Sequence, residues 1–339
     1  MEVGTRRLEI AEDSGVGEAR RVAVTFAHEM GMNEVDAGRA AIVATELARN
    51  VWRHANGGVM LIGLFEDETG AGVECIALDR GPGIADVAAA LRDGFSTAGS
   101  SGTGLGAVRR LSHAFDYYSR PGKGSAFIAR LRAGRPSPEA ASAPPGWGGI
   151  SVAKPGEAAC GDAWRVAKHQ GDDLSVLVAD GLGHGPLAAD AARAAIRAYD
   201  LGNGRADAET IQRLHQALRP TRGAAASIMV LPKVLNEVAF IGVGNVFGVV
   251  SSALETRRMT NFNGTLGHSL KNVRTFTYPT SGDTLAVLAS DGLGTHWSLD
   301  AYPGLSERHP TLIASVLYRD FDRLRDDVTV VVAKRQAVK

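Results

Sequence analysis

The first part of the chain alternates between stretches with helical and with strand periodicity. Polar and apolar side chains alternate over Arg6–Ile10, which predicts a half-buried strand. Apolar side chains then recur at helical spacing over 16–30, and a second helix is predicted to run to about residue 54, with Asn33 as its cap and Asp36 three residues on. Further strands are predicted over 59–66, 73–79, 115–120 and 125–131, and a further helix from about 104 to 113. This order predicts an α+β sandwich rather than a strict βαβ repeat.

Strand patterns dominate the second part of the chain. They are predicted over 149–153, 163–168, 174–179, 227–231, 237–242, 246–250, 284–289 and 328–333. Helical periodicity interrupts them over 187–199, 208–218 and 310–318, and Pro186 suits the first turn of the earliest of these helices. Many antiparallel strands with a few inserted helices predict a two-sheet sandwich with helices outside, so the fold class is α+β in both parts.

Between the two parts, residues 133–149 read AGRPSPEAASAPPGWGG and show no hydrophobic period. A stretch rich in Pro, Ala, Ser and Gly is typical of a linker. We therefore predict a domain over 1–132, a linker over 133–147 and a second domain over 148–335. The length of 339 residues agrees with two domains of ordinary size.

Composition narrows the classes of function. Lys and Arg together number 37, as do Asp and Glu, so the formal net charge is zero and nothing indicates a nucleic-acid partner. Cys75 and Cys160 fit neither a metal-ligand spacing nor a disulfide framework, which is typical of reduced thiols in the cytoplasm. The N-terminus lacks the apolar core of a signal peptide, and no run of about 18 apolar residues indicates a membrane span.

Four segments of the first part combine polar or glycine residues with the ends of predicted elements. Glu46 and Asn50 lie four residues apart, which places both on one face of a helix. Asp79 follows an apolar strand and opens the turn DRGPGI. The glycines of 101–106 precede a helix, where backbone N–H groups can approach phosphates, and 122–125 joins the two closing strands. Each segment alone also fits a solvated helix face or an ordinary turn.

Taken in this order, the four segments resemble the N, G1, G2 and G3 boxes of the GHKL superfamily of ATPases and kinases. ELARN, DRGPGI and SGTGLGAVRRL are similar to the serine kinases of the RsbT and SpoIIAB type. The resemblance covers about residues 1–132 and implies a site for ATP with Mg²⁺. It implies that Asn50 ligates the Mg²⁺, that Asp79 accepts the adenine amino group, and that Glu46 is the general base toward a substrate hydroxyl. The cofactor-binding residues that it implies are Asn50, Asp79, Gly81, Gly83, Gly102, Thr103, Gly104, Leu105 and Gly106.

Aspartates mark the ends of predicted strands in the second part. Asp162 follows a glycine, and Asp180 and Asp291 each end an apolar run and open an Asp-Gly step. Asp326 and Asp327 precede the last strand. A single such aspartate often only begins a turn. Several converging carboxylates repel one another unless a cation lies between them, and hard oxygen ligands suit Mg²⁺ or Mn²⁺. The set therefore predicts a divalent-metal site.

The same region, from about 148 to 334, resembles the 2C-type (PPM) protein phosphatases, in the bacterial branch of SpoIIE, RsbU and RsbX. The motifs that carry the resemblance are GD, DGLGHG, GVGNV, NGTLG, SDGLG and DDVTVVV. The resemblance implies an α-β-β-α sandwich with two Mn²⁺ or Mg²⁺ ions and a hydrolytic site built on Asp180, Asp291 and Asp326.

The resemblance also distributes the metal ligands. It implies that Asp180 bridges the two ions and that the carbonyl of Gly181 ligates one of them. Asp291 and Asp326 hold the other ion, and Asp162 binds through water. Asp327 is either a supporting residue or a further metal ligand. Many relatives carry a histidine directly after the Asp-Gly step, where this chain has Leu182, so the donor of the leaving-group proton is unassigned, with His184 as a candidate.

Together the two resemblances imply a cytoplasmic regulator of bacterial stress signalling, of the partner-switching or stressosome kind. It would remove phosphate from Ser or Thr of STAS-domain proteins, either antagonists of anti-sigma factors or stressosome proteins. Its ATP-binding domain would phosphorylate the same class of partner. ATP and ADP are the expected ligands. Because related kinases often dimerise, the resemblance also implies a homodimer.

Two alternatives stay open from the sequence. The first domain is either a kinase or a non-catalytic nucleotide-sensing module that docks the partner and places or gates the phosphatase. In the second alternative the whole chain is a scaffold without activity, which the intact set of carboxylates argues against.

Overall fold

The computed structural model describes residues 5–68, 70–91, 104–136, 145–169, 172–202, 204–234 and 236–336. The chain divides into two compact units. The first comprises Met1–Pro145 together with Glu307–Arg319, and the second comprises Gly146–Ser306 together with Asp320–Lys339. No helix in the described ranges is long and apolar enough to cross a membrane.

The first unit is a five-stranded antiparallel sheet with helices on it. Its elements are β1 (Arg6–Ile10), α1 (Asp13–Glu29), α2 (Glu34–Ala55), β2 (Gly58–Asp67), β3 (Gly70–Leu78), α3 (Val87–Ala90), α4 (Gly104–Leu111), β4 (Ala114–Ser119) and β5 (Ser125–Leu131). The strand order is β1-β2-β3-β5-β4. As predicted, Asn33 caps α2, because its side-chain oxygen accepts the backbone N–H of Asp36 at 2.9 Å.

One face of this sheet packs against α1 and α2. Alternate residues of β3 and β5, among them Cys75, Ala77 and Ala129, join the apolar sides of both helices in one buried cluster. Because side chains alternate across a strand, the intervening residues Ile76 and Ile128 lie on the opposite face, and they are buried as well. Both faces of the sheet are therefore covered.

The second unit contains two five-stranded antiparallel sheets. Its strands are β6 (Trp147–Val152), β7 (Asp162–Lys168), β8 (Leu174–Gly181), β9 (Ala224–Leu231), β10 (Glu237–Val243), β11 (Phe247–Ser251), β12 (Thr256–Arg258), β13 (Phe276–Pro279), β14 (Thr284–Ala289) and β15 (Val328–Arg335). Its region also contains α5 (Pro186–Asp200), α6 (Ala208–Leu218) and α7 (Pro310–Phe321). The sheet orders are β13-β10-β9-β8-β7 and β12-β11-β14-β15-β6.

Two buried clusters hold these layers together. Val176 and Val178 of β8 join residues of the other sheet, such as Leu288, in the core between the sheets. The alternate residues Leu177 and Ala179 face outward and pack with the apolar sides of α5 and α6. A sheet that is apolar on both faces places charged groups most readily at the ends of its strands, and the predicted aspartates lie there.

Three details differ from the sequence predictions. The edge strands β12 and β13 were not predicted, because each is short and mostly exposed and shows little hydrophobic pattern. Strand β6 begins at Trp147, the last residue of the predicted linker, and pairs with β15. Most of that linker, over 137–144, lies outside the described residues.

Helix α7 is the third difference, since most of it belongs to the first unit. Thr311 Oγ1 accepts a hydrogen bond from Arg130 Nη2 at 2.9 Å, and Tyr318 Oη accepts one from Arg7 Nε at 2.9 Å. Arg130 lies on the sheet face opposite α1 and α2, so α7 covers that face. Every residue from Pro310 to Arg319 is buried. Local composition near the linker does not reveal this contact, because the partners are far apart in sequence.

Arg130 is a buried cation that pairs with two carboxylates on the sheet face covered by α7. Its Nε bonds Glu74 Oε2 at 2.5 Å and its Nη1 bonds Asp67 Oδ2 at 2.6 Å, with all three side chains at most 10% exposed. Its guanidinium also lies 4.4 Å from the centre of the Phe65 ring. Burial raises the pKa of Glu74 even though Arg130 acts in the opposite direction. Glu74 therefore depends on this arginine to offset the cost of burying its charge.

We expect Arg130→Met to lower the free energy of unfolding of the first unit by about 3–5 kcal/mol, because it leaves two buried carboxylates without their cation. Urea unfolding measures the change. Arg165→Met removes an exposed arginine that is paired with Asp200 and should change the same quantity by less than about 1 kcal/mol. Equal effects of the two substitutions would contradict this account.

Candidate nucleotide and metal sites

Asp79 directly follows β3 and is held by backbone groups. Its Oδ1 accepts the N–H of Gly81 at 2.8 Å and that of Ser125 at 3.1 Å. Burial raises the pKa of Asp79, and these two N–H groups act in the opposite direction. No described residue donates to Oδ2. This oxygen is therefore the acceptor that the site offers to a ligand such as an amino group.

The loop after Asp79 packs tightly because two of its residues are glycines. A Cβ on Gly81 would lie 2.6 Å from the Cβ of Ala55 at the end of α2. Gly83 has a φ of +69°, and a Cβ on it would lie 2.1 Å from the carbonyl oxygen of Arg120. A larger residue at either position would push this loop away from its neighbours.

Glu46 and Asn50 lie on one face of α2, beside the start of α4. A Cβ on Gly104, the first residue of α4, would lie 3.0 Å from Glu46 Oε2 and 3.8 Å from Asn50 Oδ1. Glu46 Oε1 is paired with Arg49 Nη1 at 2.8 Å. The Nδ2 atom of Asn50 is buried and has no hydrogen-bond partner among the described residues. An unpaired buried amide is costly unless a ligand completes it.

The structure thus brings together all four segments singled out in the sequence of the first unit, since the segment over 122–125 supplies the Ser125 N–H to Asp79. Leu105 is half-buried and Gly106 is buried in the first turn of α4. Gly102 and Thr103 lie outside the described residues. The carboxylate of Glu46, the amide of Asn50 and the N-terminus of α4 lie together, and such groups could hold phosphate with Mg²⁺.

In the second unit, Asp162 and Asp180 face each other across β7 and β8. Ser290 Oγ donates to Asp162 Oδ2 at 2.6 Å. Burial, followed by repulsion from Asp327, raises the pKa of Asp162 to about 7. Its neighbour is shifted further: burial and then the charge of Asp162 raise the pKa of Asp180 to about 9, with three other aspartates adding to the effect.

The charged groups that raise the pKa of Asp180 most are the carboxylates of Asp162, Asp291, Asp326 and Asp327. Among the described residues, no three His, Cys, Asp or Glu side chains already form a closed metal site. The aspartates therefore lie near one another, but their oxygens are not yet arranged around a common metal position. Their oxygen donors and mutual repulsion fit a hard divalent cation, which would draw them together.

Two residues support this set in roles that the sequence left open or did not show. Asp327 accepts the N–H of Lys154 at 2.8 Å and that of Gly161 at 2.9 Å, so it positions the segment that leads to Asp162. Asn245 Nδ2 donates to Asp291 Oδ2 at 2.5 Å. Asn245 belongs to the GVGNV motif, which was noted in the sequence without a role for this residue.

The loop after Asp180 is held close to α5. The N–H of Gly181 bonds the carbonyl of Gly161 at 3.1 Å, and a Cβ on Gly181 would lie 2.1 Å from the carbonyl oxygen of Ala188. His184 is half-exposed, with its Nδ1 at 2.7 Å from Glu157 Oε1. Among the described residues it is paired with this carboxylate and makes no hydrogen bond to any of the aspartates.

Comparison with known proteins finds relatives for both parts of the chain. Residues 11–129 match the family described as the histidine kinase-like ATPase domain. Serine/threonine-protein kinase RsbT of Bacillus subtilis (strain 168) is 39% identical over 107 residues, which is 32% of this chain and 80% of the relative. Phosphoserine phosphatase RsbX of the same strain is 32% identical over 142 residues, which is 41% of this chain and 70% of the relative.

A solved structure described as "The bacterial stressosome: a modular system that has been adapted to control secondary messenger signaling" is 28% identical, with a TM-score of 0.52. The match covers 55% of this chain and 97% of that one. Together with the mixed helix and sheet content, these likenesses confirm the predicted fold class. The chain therefore belongs to two families joined in tandem, the RsbT-type serine/threonine kinases of the GHKL superfamily and the RsbX-type phosphatases of the 2C class.

Proposed function

We propose that this chain is a partner-switching regulator of bacterial stress signalling that hydrolyses phosphoserine or phosphothreonine on STAS-domain proteins. The observation that carries the proposal is the convergence of buried and half-buried aspartates at the start of β7, at the end of β8, after β14 and before β15. A kinase-type nucleotide site in the same chain narrows the substrate, because kinase and phosphatase of one switching module act on one class of partner.

In the phosphatase domain, Asp162, Asp180, Asp291, Asp326 and the carbonyl of Gly181 would hold two Mn²⁺ or Mg²⁺ ions. Such ions supply a nucleophile from water at neutral pH and neutralise charge on the phosphoryl group. The chain's own contribution is orientation. Ser290 holds one oxygen of Asp162, and Asn245 holds one of Asp291.

In the kinase-like domain, ATP with Mg²⁺ fits the residues around α2 and β3. Oδ2 of Asp79, to which no described residue donates, suits the adenine amino group. Nδ2 of Asn50, unpaired among the described residues, suits a phosphate oxygen, and Oδ1 of the same amide suits the ion. Glu46 would remove a proton from the hydroxyl of the partner protein, since its Oε2 faces the start of α4.

One observation favours the alternative that this domain only senses nucleotide and docks the partner. Arg49 occupies Oε1 of Glu46 at 2.8 Å, so half of the proposed base is already paired. In this second candidate function, nucleotide binding would place or gate the phosphatase without phosphoryl transfer.

The partners that follow from this proposal are STAS-domain antagonists of anti-sigma factors or stressosome proteins, met in the cytoplasm. Homodimerisation through the kinase-like domain remains a prediction.

Phosphate release from a phosphorylated STAS protein should require Mn²⁺ or Mg²⁺ and fall at least about 1,000-fold in Asp180→Asn, since that change would remove a carboxylate charge from the centre of the proposed metal site. A malachite-green assay measures it. Asp190→Asn, which alters an exposed residue of α5 paired with Arg193, is the matched control and should keep the wild-type rate. Metal-independent release, or release that survives Asp180→Asn, would refute the proposed phosphatase.

The same substitution should stabilise the protein when chelator keeps metal away. The pKa of Asp180 is raised from 3.8 to about 9, so between these values the folded chain holds a proton that the unfolded chain has lost. The free energy of unfolding therefore falls as pH rises through this window. We expect Asp180→Asn to melt more than about 5 °C above wild type at pH 8 and at the same temperature near pH 4.

Added Mn²⁺ should raise the melting temperature of wild type and leave that of Asp180→Asn nearly unchanged. Differential scanning fluorimetry across pH 4–9 tests both statements. A gap between the two proteins that does not depend on pH would show that Asp180 carries no such proton.

Glu46→Gln should retain ATP binding and lose phosphoryl transfer to a STAS protein, whereas Asp79→Asn should weaken ATP binding about 10-fold or more by removing a charged acceptor. Calorimetry measures the binding and γ-³²P transfer measures the chemistry. Binding without any transfer in wild type would decide for the sensing and docking function.

A further inference from the structure

A short turn between α6 and β9 lies beside the loop that follows Asp180. The register of β8 and β9 sets Asp180 opposite Ala225 and Gly181 opposite Ala224. The pairing continues past the strands, since the N–H of Leu182 donates to the carbonyl of Gly223 at 3.0 Å. One residue further along this pairing, Arg222 of the turn therefore lies opposite Gly183 of the loop.

The position of Arg222 on this turn is held from several sides. Gly223 has a φ of +80°, a conformation that favours glycine, and its N–H donates to Thr221 Oγ1 at 3.0 Å. The carbonyl of Arg222 lies 2.8 Å from His268 Nε2. The turn is thus tied both to the end of α6 and to the NGTLGHS segment.

The guanidinium of Arg222 reaches over the metal-site loop. A Cβ on Gly183 would lie 3.2 Å from Arg222 Nη1, so the guanidinium rests on a residue without a side chain. The residue is exposed, and no side chain within the described ranges pairs with its guanidinium. Arg165 of β7, by contrast, is paired with Asp200 at 2.9 Å.

The net charge of the proposed metal site indicates a role for Arg222 in binding phosphate. Five carboxylates gather at the site, and their charge exceeds that of two divalent cations. A phosphate dianion that enters therefore meets a net negative site unless a further cation lies at its edge. A guanidinium presents paired N–H donors that match phosphate oxygens, which an ammonium does not.

The geometry points to Arg222 as the residue that binds the phosphoryl oxygens of the substrate at the edge of the metal site. This inference rests on the proposed phosphatase function and adds a phosphate-recognition residue to it. Leu182 and Leu187, which are 46% and 54% exposed beside the same loop, are left to contact the polypeptide that carries the phosphate.

The test compares two substrates in the full-length protein with Mn²⁺. p-Nitrophenyl phosphate shares only the phosphoryl group with a phosphorylated STAS protein. We expect Arg222→Ala to lower kcat/KM about 10- to 100-fold for both substrates and to weaken inhibition by inorganic phosphate to a similar degree. Arg222→Lys should recover only part of the loss, because it keeps the positive charge but not the paired N–H donors of the guanidinium.

Arg165→Ala, which removes the same charge from β7, is the matched control and should leave both substrates and phosphate inhibition unchanged. A loss confined to the STAS protein would mean that Arg222 contacts polypeptide instead, and no loss at all would mean that it contacts neither; both results overturn the inference. A wild-type protein without metal-dependent hydrolysis would instead refute the phosphatase itself. Circular dichroism and Mn²⁺ affinity show whether Arg222→Ala is folded with its metal site intact.

Discussion

Asp162 and Asp180 occupy facing positions on β7 and β8, so two carboxylates are buried side by side at the end of a sheet that is apolar on both faces. Their repulsion opposes folding at any pH at which both are ionised and no cation lies between them. The rest of the second unit has to hold them there. The large core between the two sheets does this, together with the hydrogen bonds from Ser290 to Asp162 and from backbone N–H groups to Asp327. A site that is strained without its metal is one way in which stability is given up for function.

The nucleotide site handles the same problem differently. Asp79 also ends an apolar strand and is also buried, yet it accepts two backbone N–H groups on one oxygen. Asp180 instead has four other carboxylates acting on it. A carboxylate that is already satisfied on one side can recognise a neutral donor such as an amino group. A set that is left unsatisfied needs a multiply charged cation. On the proposed function, the two units would use aspartates at strand ends to recognise different ligands, a neutral donor in one case and cations in the other.

Much of this arrangement could be predicted from sequence where local patterns control it. Helix α2 carries a strong apolar stripe and a capping residue, so its boundaries were predicted within about one residue, and Glu46 and Asn50 were placed on one face. The strand-end aspartates were visible because each follows or precedes an apolar run. The supporting residues depend on register instead. Asn245 comes close to Asp291, and Arg222 comes level with Gly183, only after the strands have paired. The residues that neighbour each of these positions in the sequence do not predict such pairings. The membership of α7 in the first unit was missed for the same reason.

That membership bears on how such a protein could arise or be divided. The chain leaves the first unit at the linker, builds most of the second unit, returns as residues 307–319 and leaves again. A gene split at the linker would encode one product whose sheet lacks the helix over Ile76 and Ile128, and another that carries a buried helix without its partners. Neither product would be a self-sufficient module. Selection would then act on the two domains together, because loss of either domain would destabilise the other.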